Sequence, residues 1–269
     1  MMDLVPGLGI ILAGCLAGYL AGACGAGGGI ILVPVLIKYF ESSGVTSLIG
    51  THLAIGSSAL VVGVTSVVAA WPYARERQTV NNAAIIMILA GVVLAVAGSM
   101  VAAGWQGRTL CRLFGVAVGL VALILILGIR RSKSGEENTI NRSGLLTAGG
   151  ATGLVVSWTG IGGDVFSMPY LYGNLRFSLR RAQGTALLAS GVVAIAAAAA
   201  YGGVGWGNEF LPQGTIGFVE WKPAIPAMIG QTVGISLARR FSPQGLSATW
   251  RKIYAVALLV LATKMFFLS

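Results

Sequence analysis

Long apolar segments recur along the whole chain and leave little polar sequence between them. We identify such segments at 7–40, 48–70, 82–103, 109–129, 143–175, 180–201, 223–238 and 247–268. A run of about 20 apolar residues is typical of a transmembrane helix. Only 10% of the residues are charged, whereas soluble domains carry about 25%. These features predict an all-α integral membrane protein and argue against an enzyme.

Two of the segments are too long for one straight span. Residues 7–40 and 143–175 each exceed 30 residues, and a helix of about 34 residues would be about 51 Å long, against a hydrocarbon core of about 30 Å. Glycines interrupt both segments near their middle, where they permit sharp reversals of the chain. We therefore predict that each is a re-entrant hairpin of two part-length helices, with breaks at 24–29 and 159–164.

The distribution of basic residues distinguishes a hairpin from a full span. If all eight segments cross the membrane, the 18 Lys and Arg residues divide almost evenly between its two sides. If the two long segments enter and leave on the same face, 13 lie on one side and only Lys38, Arg108, Arg112, Lys222 and Lys264 on the other. Cytoplasmic loops carry an excess of Lys and Arg. This favours six transmembrane helices and two hairpins, with both termini on the non-cytoplasmic side.

The two halves of the chain share one pattern at a nearly constant offset. The sequence GAGGG at 25–29, with a proline five residues later, matches GIGGD at 160–164, also with a proline five residues later. A Gly-Thr pair at 50–51 recurs at 184–185. Because each half has three predicted spans, the second copy must be inverted relative to the first. Inverted repeats with broken helices are a recurrent transporter architecture.

We therefore predict two membrane repeats, at 1–138 and 139–269. Each would be a re-entrant broken-helix hairpin plus three transmembrane helices. The half-helix after each break exposes backbone N–H groups at its positive end, and glycine lets an anion approach them closely. No Lys or Arg is close to either break in sequence, so backbone amides would hold the anion. The glycines predicted to bind it are Gly25, Gly27, Gly28, Gly29, Gly160, Gly162 and Gly163. The alternative is that these glycines serve close helix packing.

Polar residues follow both breaks at matching places. Thr51, His52, Ser57, Gln183 and Thr185 carry groups that can orient an anion's oxygens, and we include them among the candidate substrate-binding residues. The alternative is hydrogen bonding between helices. The imidazole of His52 could donate to an anion or relay a proton. An intramembrane hydrolase using Ser57 and His52 is disfavoured, because residues five apart do not share a helical face.

Asp164 is the only carboxylate within an apolar core segment. Acids inside membrane segments are functional candidates, and a carboxylate beside an anion site would repel the anion unless it were protonated or paired with a cation. Asp164 is therefore a candidate for coupling transport to an ion, with helix capping as the alternative. Transport of a metal cation is a further alternative. The three cysteines show no zinc spacing, and we expect no bound metal or cofactor.

The duplicated glycine motif with its following proline resembles the TauE/SafE family of sulfite exporters and related anion permeases, over essentially the whole chain. The resemblance implies a transporter of the plasma membrane, in bacteria the inner membrane, that acts on sulfite or an organosulfonate such as sulfoacetate. Asp164 departs from the pattern, because a small residue would be expected there, as Gly29 stands in the first copy.

The function predicted from these observations is export of a small sulfur-containing anion by alternating access. Because the cytoplasmic side of the membrane is negative, moving one negative charge outward is favourable by about 2.3 kcal/mol of free energy per 100 mV. The alternatives are proton- or cation-coupled uptake of another small organic anion and cation transport through Asp164. The expected partners are the anion and the lipid bilayer, with a second copy of the chain in a homodimer as a further candidate. The net charge of +10 is interpreted as a topology signal, so no nucleic acid is expected.

Overall fold

The computed structural model describes residues 4–24, 27–127, 141–241 and 248–267. These residues form ten α-helices and a two-stranded antiparallel ribbon, which confirms an all-α membrane protein with one small β element. The elements are α1 (Leu4–Cys24), α2 (Gly29–Ser42), α3 (Ser47–Arg75), α4 (Asn81–Ala103), α5 (Gly107–Leu127), α6 (Arg142–Thr159), α7 (Asp164–Gly173), α8 (Leu179–Val204), β1 (Thr215–Ile216), β2 (Val219–Glu220), α9 (Trp221–Phe241) and α10 (Ala248–Phe267).

Helix breaks occur at both predicted places, between α1 and α2 and between α6 and α7. Gly27 has φ +62° and Gly160 has φ +66°, a left-handed conformation that glycine adopts without steric cost. Gly160 also ends α6, because its N–H donates to the Val156 carbonyl at 2.8 Å, as left-handed helix caps commonly do. The glycines therefore end one helix and allow the next to begin in a new direction.

After the second break, α7 folds back along α6. A Cβ atom added at Gly163, just before α7, would lie 3.1 Å from Thr152 Cβ and 3.2 Å from Val156 Cγ2. One added at Gly144, near the start of α6, would lie 3.2 Å from Tyr170 Cζ of α7. The two helices are therefore antiparallel neighbours and form a helical hairpin.

In the first broken pair, α1 has 21 residues and α2 has 14. α1 runs parallel to α9, and the re-entrant hairpin formed by α1 and α2 stays a prediction. A Cβ added at Gly14 would lie 3.2 Å from Ala227 Cα, and one added at Gly22 would lie 2.8 Å from Ala238 Cβ. Small residues along α1 allow this close packing over most of α9, which explains its length. After the break, Gly28 again lies against the middle of α9, so α2 turns back from the end of α1.

α6 packs on α4 in the way that α1 packs on α9. A Cβ at Gly149 would lie 2.6 Å from Met87 Cα, and Ser157 Cβ lies 3.2 Å from the position of a Cβ at Gly98. Residue numbers increase in the same direction along the two helices, from Gly149 beside Met87 to Ser157 beside Gly98, so α6 and α4 are also parallel. Gly149 follows Gly14 by the same 135 residues that separate the two glycine motifs. The packing positions of α1 and α6 therefore share the register of the repeat.

At the centre of the bundle, α3 and α8 run antiparallel. A Cβ at Gly56, in the first part of α3, would lie 3.2 Å from Tyr201 Cβ near the end of α8. One at Gly184, near the start of α8, would lie 2.7 Å from Tyr73 Cβ near the end of α3. The loop after α3 and the loop after α8 are consequently at opposite ends of the bundle.

Four of the described helices, α3, α4, α5 and α8, are long and apolar enough to cross a membrane. The outer face of α4 carries Ile85, Leu89 and Val93 with exposed fractions of 54%, 64% and 67%, and a soluble protein rarely exposes so large an apolar face. α9 and α10 have similar lengths but more polar sequences. The chain is therefore a multi-pass membrane protein, and the spanning role of α9 and α10 stays a prediction.

Candidate functional site

The two helix breaks lie against each other in the centre of the protein. A Cβ added at Gly29 would lie 2.9 Å from Ile161 Cα and would collide with the carbonyl oxygen of Gly160. One added at Gly27 would lie 3.3 Å from the Gly162 nitrogen. All five of these residues are buried, and the predicted site residue Gly25 lies outside the described residues. In this conformation the contact is backbone to backbone, and no anion fits between Gly29 and Gly160.

A side chain from α3 holds the second break in this position. The Ser58 hydroxyl donates to the Gly160 carbonyl at 3.0 Å, and both residues are buried. A Cβ at Gly162 would lie 3.0 Å from Val62 Cγ1. The breaks therefore pack on α3 between residues 55 and 62. Close packing accounts for Gly29, Gly160 and Gly162 in this conformation, and their role in binding stays a prediction.

A cavity of about 50 Å³ lies beside the breaks, toward the end of α3. Most of its lining surface is apolar, but six polar or charged side chains contribute to it, and we call it the polar cavity after them. A buried water needs about 10–15 Å³ measured in this way, so the cavity has room for a few waters or an anion of similar size. The predicted site residues Gly28, Asp164 and Gln183 come together here, which connects the N-terminal ends of α2 and α7. The other polar residues that line it are Ser66, Tyr73, Gln231 and Arg239.

Asp164 begins α7, where the positive end of the helix dipole favours a carboxylate. The side chain is 6% exposed, and its Oδ1 atom is buried without a hydrogen-bond partner. Within the described part of the chain, the ion pair found joins Arg180 to Glu76 at the surface. No basic group of those residues is paired with the Asp164 carboxylate.

Gln231 of α9 brings a second buried oxygen to the cavity. It is 2% exposed, and its Oε1 atom has no hydrogen-bond partner. Its amide group lies against the first break, because a Cβ added at Gly28 would be 2.6 Å from Gln231 Cδ and would collide with Nε2. Leaving a buried polar atom unpaired costs about 1–3 kcal/mol. Two such atoms on side chains that line one cavity make it a candidate functional site.

Arg239 occupies the end of the cavity. Its guanidinium donates to the Ala69 carbonyl and lies over the Tyr73 ring, 5.2 Å from the ring centroid. The Tyr73 hydroxyl in turn donates to Gln183 Oε1 at 3.4 Å. The expectation of no basic residue near the breaks is therefore wrong, because α9 brings Arg239 into the cavity that Gly28 lines. Gln231 and Arg239 are eight residues apart and so share a helical face, a signal that sequence inspection missed.

Thr51 and His52 lie on α3 outside this cavity. The Thr51 hydroxyl donates to the Ser47 carbonyl at 3.1 Å. The His52 ring nitrogens lie 2.7 Å from the Leu48 carbonyl oxygen and 3.2 Å from that of Ala102. Both ring nitrogens face backbone carbonyl oxygens, of which a neutral imidazole donates to one, and the contact with Ala102 of α4 is the interhelical kind. The Thr51 bond to Ser47 lies within α3.

Ser57 and Thr185 also hold backbone groups away from the cavity. The Ser57 hydroxyl accepts a hydrogen bond from the Glu220 N–H at 2.9 Å, which fixes the end of the β-ribbon on α3. The Thr185 hydroxyl accepts from the Val80 N–H at 2.9 Å, in the loop before α4. Gly163 packs against α6. None of these three residues lines the cavity, because the β-ribbon engages Ser57, the loop before α4 engages Thr185 and α6 covers Gly163.

Aromatic side chains fill the side of the breaks opposite the cavity. The rings of His52 and Phe218 are 5.2 Å apart, those of Tyr201 and Phe218 are 6.4 Å apart, and those of Trp105 and Trp158 are 5.5 Å apart. The Tyr201 hydroxyl donates to a backbone carbonyl of α6 at 2.7 Å. We call these five residues the aromatic cluster. It lies between the breaks and the start of α3.

Beyond the aromatic cluster, a larger cavity of about 670 Å³ opens at the start of α3. Its lining includes Lys38, Arg108 and Lys264, with Glu41 as an acidic neighbour and Thr51 at its inner end. We call this the basic cavity. Residues 47–51 of α3 lie beside the basic cavity, residues 52–56 beside the aromatic cluster, residues 55–62 beside the breaks and residues 66–73 beside the polar cavity.

A multi-pass bundle with two contacting helix breaks and a polar cavity beside them is the architecture of a membrane transporter. The family model described as sulfite exporter TauE/SafE matches residues 10–265. The chain therefore belongs to the TauE/SafE sulfite exporter family.

Three relatives have the same kind of description. The chain is 26% identical over 264 residues to a protein of Haemophilus influenzae described as a "probable membrane transporter protein", covering 95% of this chain and 96% of that protein. It is 27% identical to a Xylella fastidiosa protein of that description, covering 86% and 84%, and 23% identical to one of Methanocaldococcus jannaschii, covering 92% of both. No solved structure matches.

Proposed function

We propose that this transporter exports a small sulfur-containing anion, sulfite or an organosulfonate such as sulfoacetate, across the bacterial inner membrane. The observation that carries the proposal is the polar cavity in which the N-terminal ends of α2 and α7 meet Arg239. The family membership supports the substrate class. Transport would follow alternating access, with the cavity as the binding site.

The chemistry of the cavity favours an anion with several oxygens. A guanidinium carries five N–H donors in a planar fork that matches such anions. Gly28 adds the donor groups of a helix N-terminus without a side chain to obstruct them, and the amide nitrogens of Gln183 and Gln231 are further donors. A four-atom anion such as sulfite is comparable in size to the few waters that the cavity would hold.

The packing of the helices supports the inverted-repeat architecture. The pair α1–α9 corresponds to α6–α4 at the repeat offset, and both pairs are parallel, whereas the equivalent helices α3 and α8 are antiparallel. An inversion of one half relative to the other produces this pattern. In this proposal α1–α2 and α6–α7 are re-entrant hairpins, and repeats 1–138 and 139–269 contribute one break each.

The same arrangement supports an orientation. The polar cavity lies at the end of the bundle that carries Arg75, Arg77, Arg180 and Arg181. An excess of Arg at one end favours the orientation in which that end faces the cytoplasm. We therefore propose that this conformation faces inward and that the aromatic cluster blocks exit. Both termini would be non-cytoplasmic, since the last turn of α10 brings Lys264 to the basic cavity.

Export then requires the aromatic cluster to separate while the halves of the protein close over the polar cavity. Lys38, Arg108 and Lys264 would attract the departing anion into the basic cavity. A negative cytoplasm drives each net negative charge outward by about 2.3 kcal/mol per 100 mV.

Sulfite flux from proteoliposomes tests the proposal. Gly28→Leu would fill the polar cavity, and Gly163→Leu would push α7 away from α6, so we expect either variant to abolish flux. Gly9→Leu is the matched control, because Gly9 is exposed and a Cβ there would contact nothing within 4 Å. Unchanged flux in both break variants would remove the breaks from the mechanism.

Cation transport is a second candidate, because Asp164 and Gln231 offer two buried oxygens without donors. Arg239 in the same cavity opposes a cation by charge repulsion. Asp164→Asn separates the two functions, since it would abolish cation flux but leave the anion-binding donors in place.

A further inference from the structure

Asp164 and Gln231 present two oxygen acceptors to one cavity from different helices. Asp164 Oδ1 and Gln231 Oε1 are both buried without a hydrogen-bond partner, on side chains that are 6% and 2% exposed. An added Cβ at Gly162 would collide with Asp164 Oδ1, so the carboxylate lies over its own helix break. Acceptors without a donor are suited to bind a proton or a cation.

The surrounding oxygens favour a proton over a metal ion. A bound Ca²⁺ takes about 6–8 oxygen ligands, and Mg²⁺ about six. Three carbonyls of the second break already accept hydrogen bonds, since Gly160 accepts from Ser58, Gly162 from the Val165 N–H and Gly163 from Ser167. Within the described residues, no three His, Cys, Asp or Glu side chains come close enough to hold a metal. A proton on Asp164 needs only one acceptor, and Gln231 Oε1 is the unpaired buried acceptor on a side chain that lines the same cavity.

The charges around Asp164 connect that proton to the anion. The titratable residues that line the cavity are Asp164, Arg239 and Tyr73. The facing positions on α6 and α8 are Thr152 and Gln183, which carry no charge. Arg239 is engaged by the Ala69 carbonyl and the Tyr73 ring rather than by the Asp164 carboxylate. An ionised Asp164 would therefore repel an entering anion, and a protonated one would leave Arg239 free to attract it.

We infer that Asp164, with Gln231 as its hydrogen-bond acceptor, carries one proton together with each transported anion. The proton binds to the Asp164 carboxylate, whose O–H then donates to Gln231 Oε1, and both proton and anion leave on the other side. Sulfite and sulfoacetate carry two negative charges when fully ionised, so one proton leaves a net charge of −1 to be driven outward. This inference rests on the proposed anion transport.

The test uses purified full-length protein in proteoliposomes, with the membrane potential clamped and a pH-sensitive dye inside. Sulfoacetate is the probe, because its acidic groups stay ionised near neutral pH and do not carry the proton themselves. Two quantities are measured, the exchange of labelled for unlabelled sulfoacetate and the proton movement during net efflux. We expect one proton for each sulfoacetate in the wild type. Above the pH at which Asp164 ionises, the half-saturating sulfoacetate concentration should rise about tenfold per pH unit.

Asp164→Asn should move at least tenfold fewer protons for each sulfoacetate than the wild type, and its half-saturating concentration should be independent of pH. Gln231→Met removes the acceptor that stabilises the protonated carboxyl of Asp164. The rise in the half-saturating sulfoacetate concentration should therefore begin at a lower pH. Glu76→Gln is the control, because Glu76 is an exposed carboxylate paired with Arg180, and it should behave as the wild type.

Two results would overturn the coupling while leaving anion transport intact: exchange by a wild type that moves no protons, and equal proton movement in the wild type and Asp164→Asn. Absence of exchange in the wild type with both sulfoacetate and sulfite would instead overturn the proposed function, and the coupling with it.

Discussion

Arg239→Gln should weaken anion binding far more than the same change at the next residue. Both residues end α9 in the basic cluster that sequence reasoning assigns to topology. Arg239 lines the polar cavity, whereas Arg240 is exposed and lies 5.8 Å from the ring centroid of Phe241. The two substitutions remove the same charge, so their difference isolates the effect of the cavity.

The magnitude follows from the position of the guanidinium. Arg239 lines the polar cavity, so we take an anion bound there to lie about 5 Å from its charge. At an effective dielectric constant of about 20, that interaction is worth about 3 kcal/mol, or about 100-fold in binding. Arg239→Lys keeps the charge but loses the planar fork, and we expect a loss of about tenfold.

The assay is the concentration dependence of sulfite exchange in proteoliposomes, compared at equal amounts of folded protein. Arg239→Gln should raise the half-saturating concentration by about 100-fold, and Arg240→Gln should change it by less than about twofold, as expected for an exposed charge. Equal effects of the two substitutions would refute the reasoning, because both arginines would then act only through the general charge of the surface.

Three further predictions concern packing and topology. Gly153→Ala should lower the free energy of unfolding by about 1–3 kcal/mol in a denaturation experiment in detergent, because the new Cβ would lie 2.9 Å from a backbone nitrogen of α4, whereas Gly9→Ala should cause no loss because nothing lies within 4 Å. Tyr201→Phe should cost about 1–3 kcal/mol in the same measurement, since its hydroxyl donates to a buried carbonyl of α6; an unchanged midpoint would contradict this. In a cysteine-free background, Glu76→Cys and Asn208→Cys should react with an impermeant thiol reagent from opposite sides of the membrane, and labelling from one side would refute the topology.

The helices and the breaks could be predicted from the sequence because each depends on local pattern. Apolar runs define the spans, and the glycine clusters at 25–29 and 160–164 mark the places where helices end. The length of α1 could not be predicted in this way. It follows from packing against α9, which depends on small residues such as Gly14 and Gly22 meeting partners that are more than 200 residues away.

The candidate site was predictable where the repeat pattern marked it and was missed where it depends on tertiary packing. Gly28, Asp164 and Gln183 were found from the motif and its flanking polar residues. Gln231 and Arg239 were missed, since only the register of α9 against α1 and α3 brings them to the breaks. The aromatic cluster was missed for a similar reason, because the β-ribbon before α9 inserts a ring from a loop that has no helical periodicity.

An experimental structure of the protein in a lipid nanodisc, determined with saturating sulfite and with the electron-denser selenite, tests the central claim most directly. The account predicts density for one anion in the polar cavity, within hydrogen-bonding distance of Arg239 and of the backbone N–H groups at Gly28. Density found only among Lys38, Arg108 and Lys264, with no anion beside the helix breaks, would contradict it.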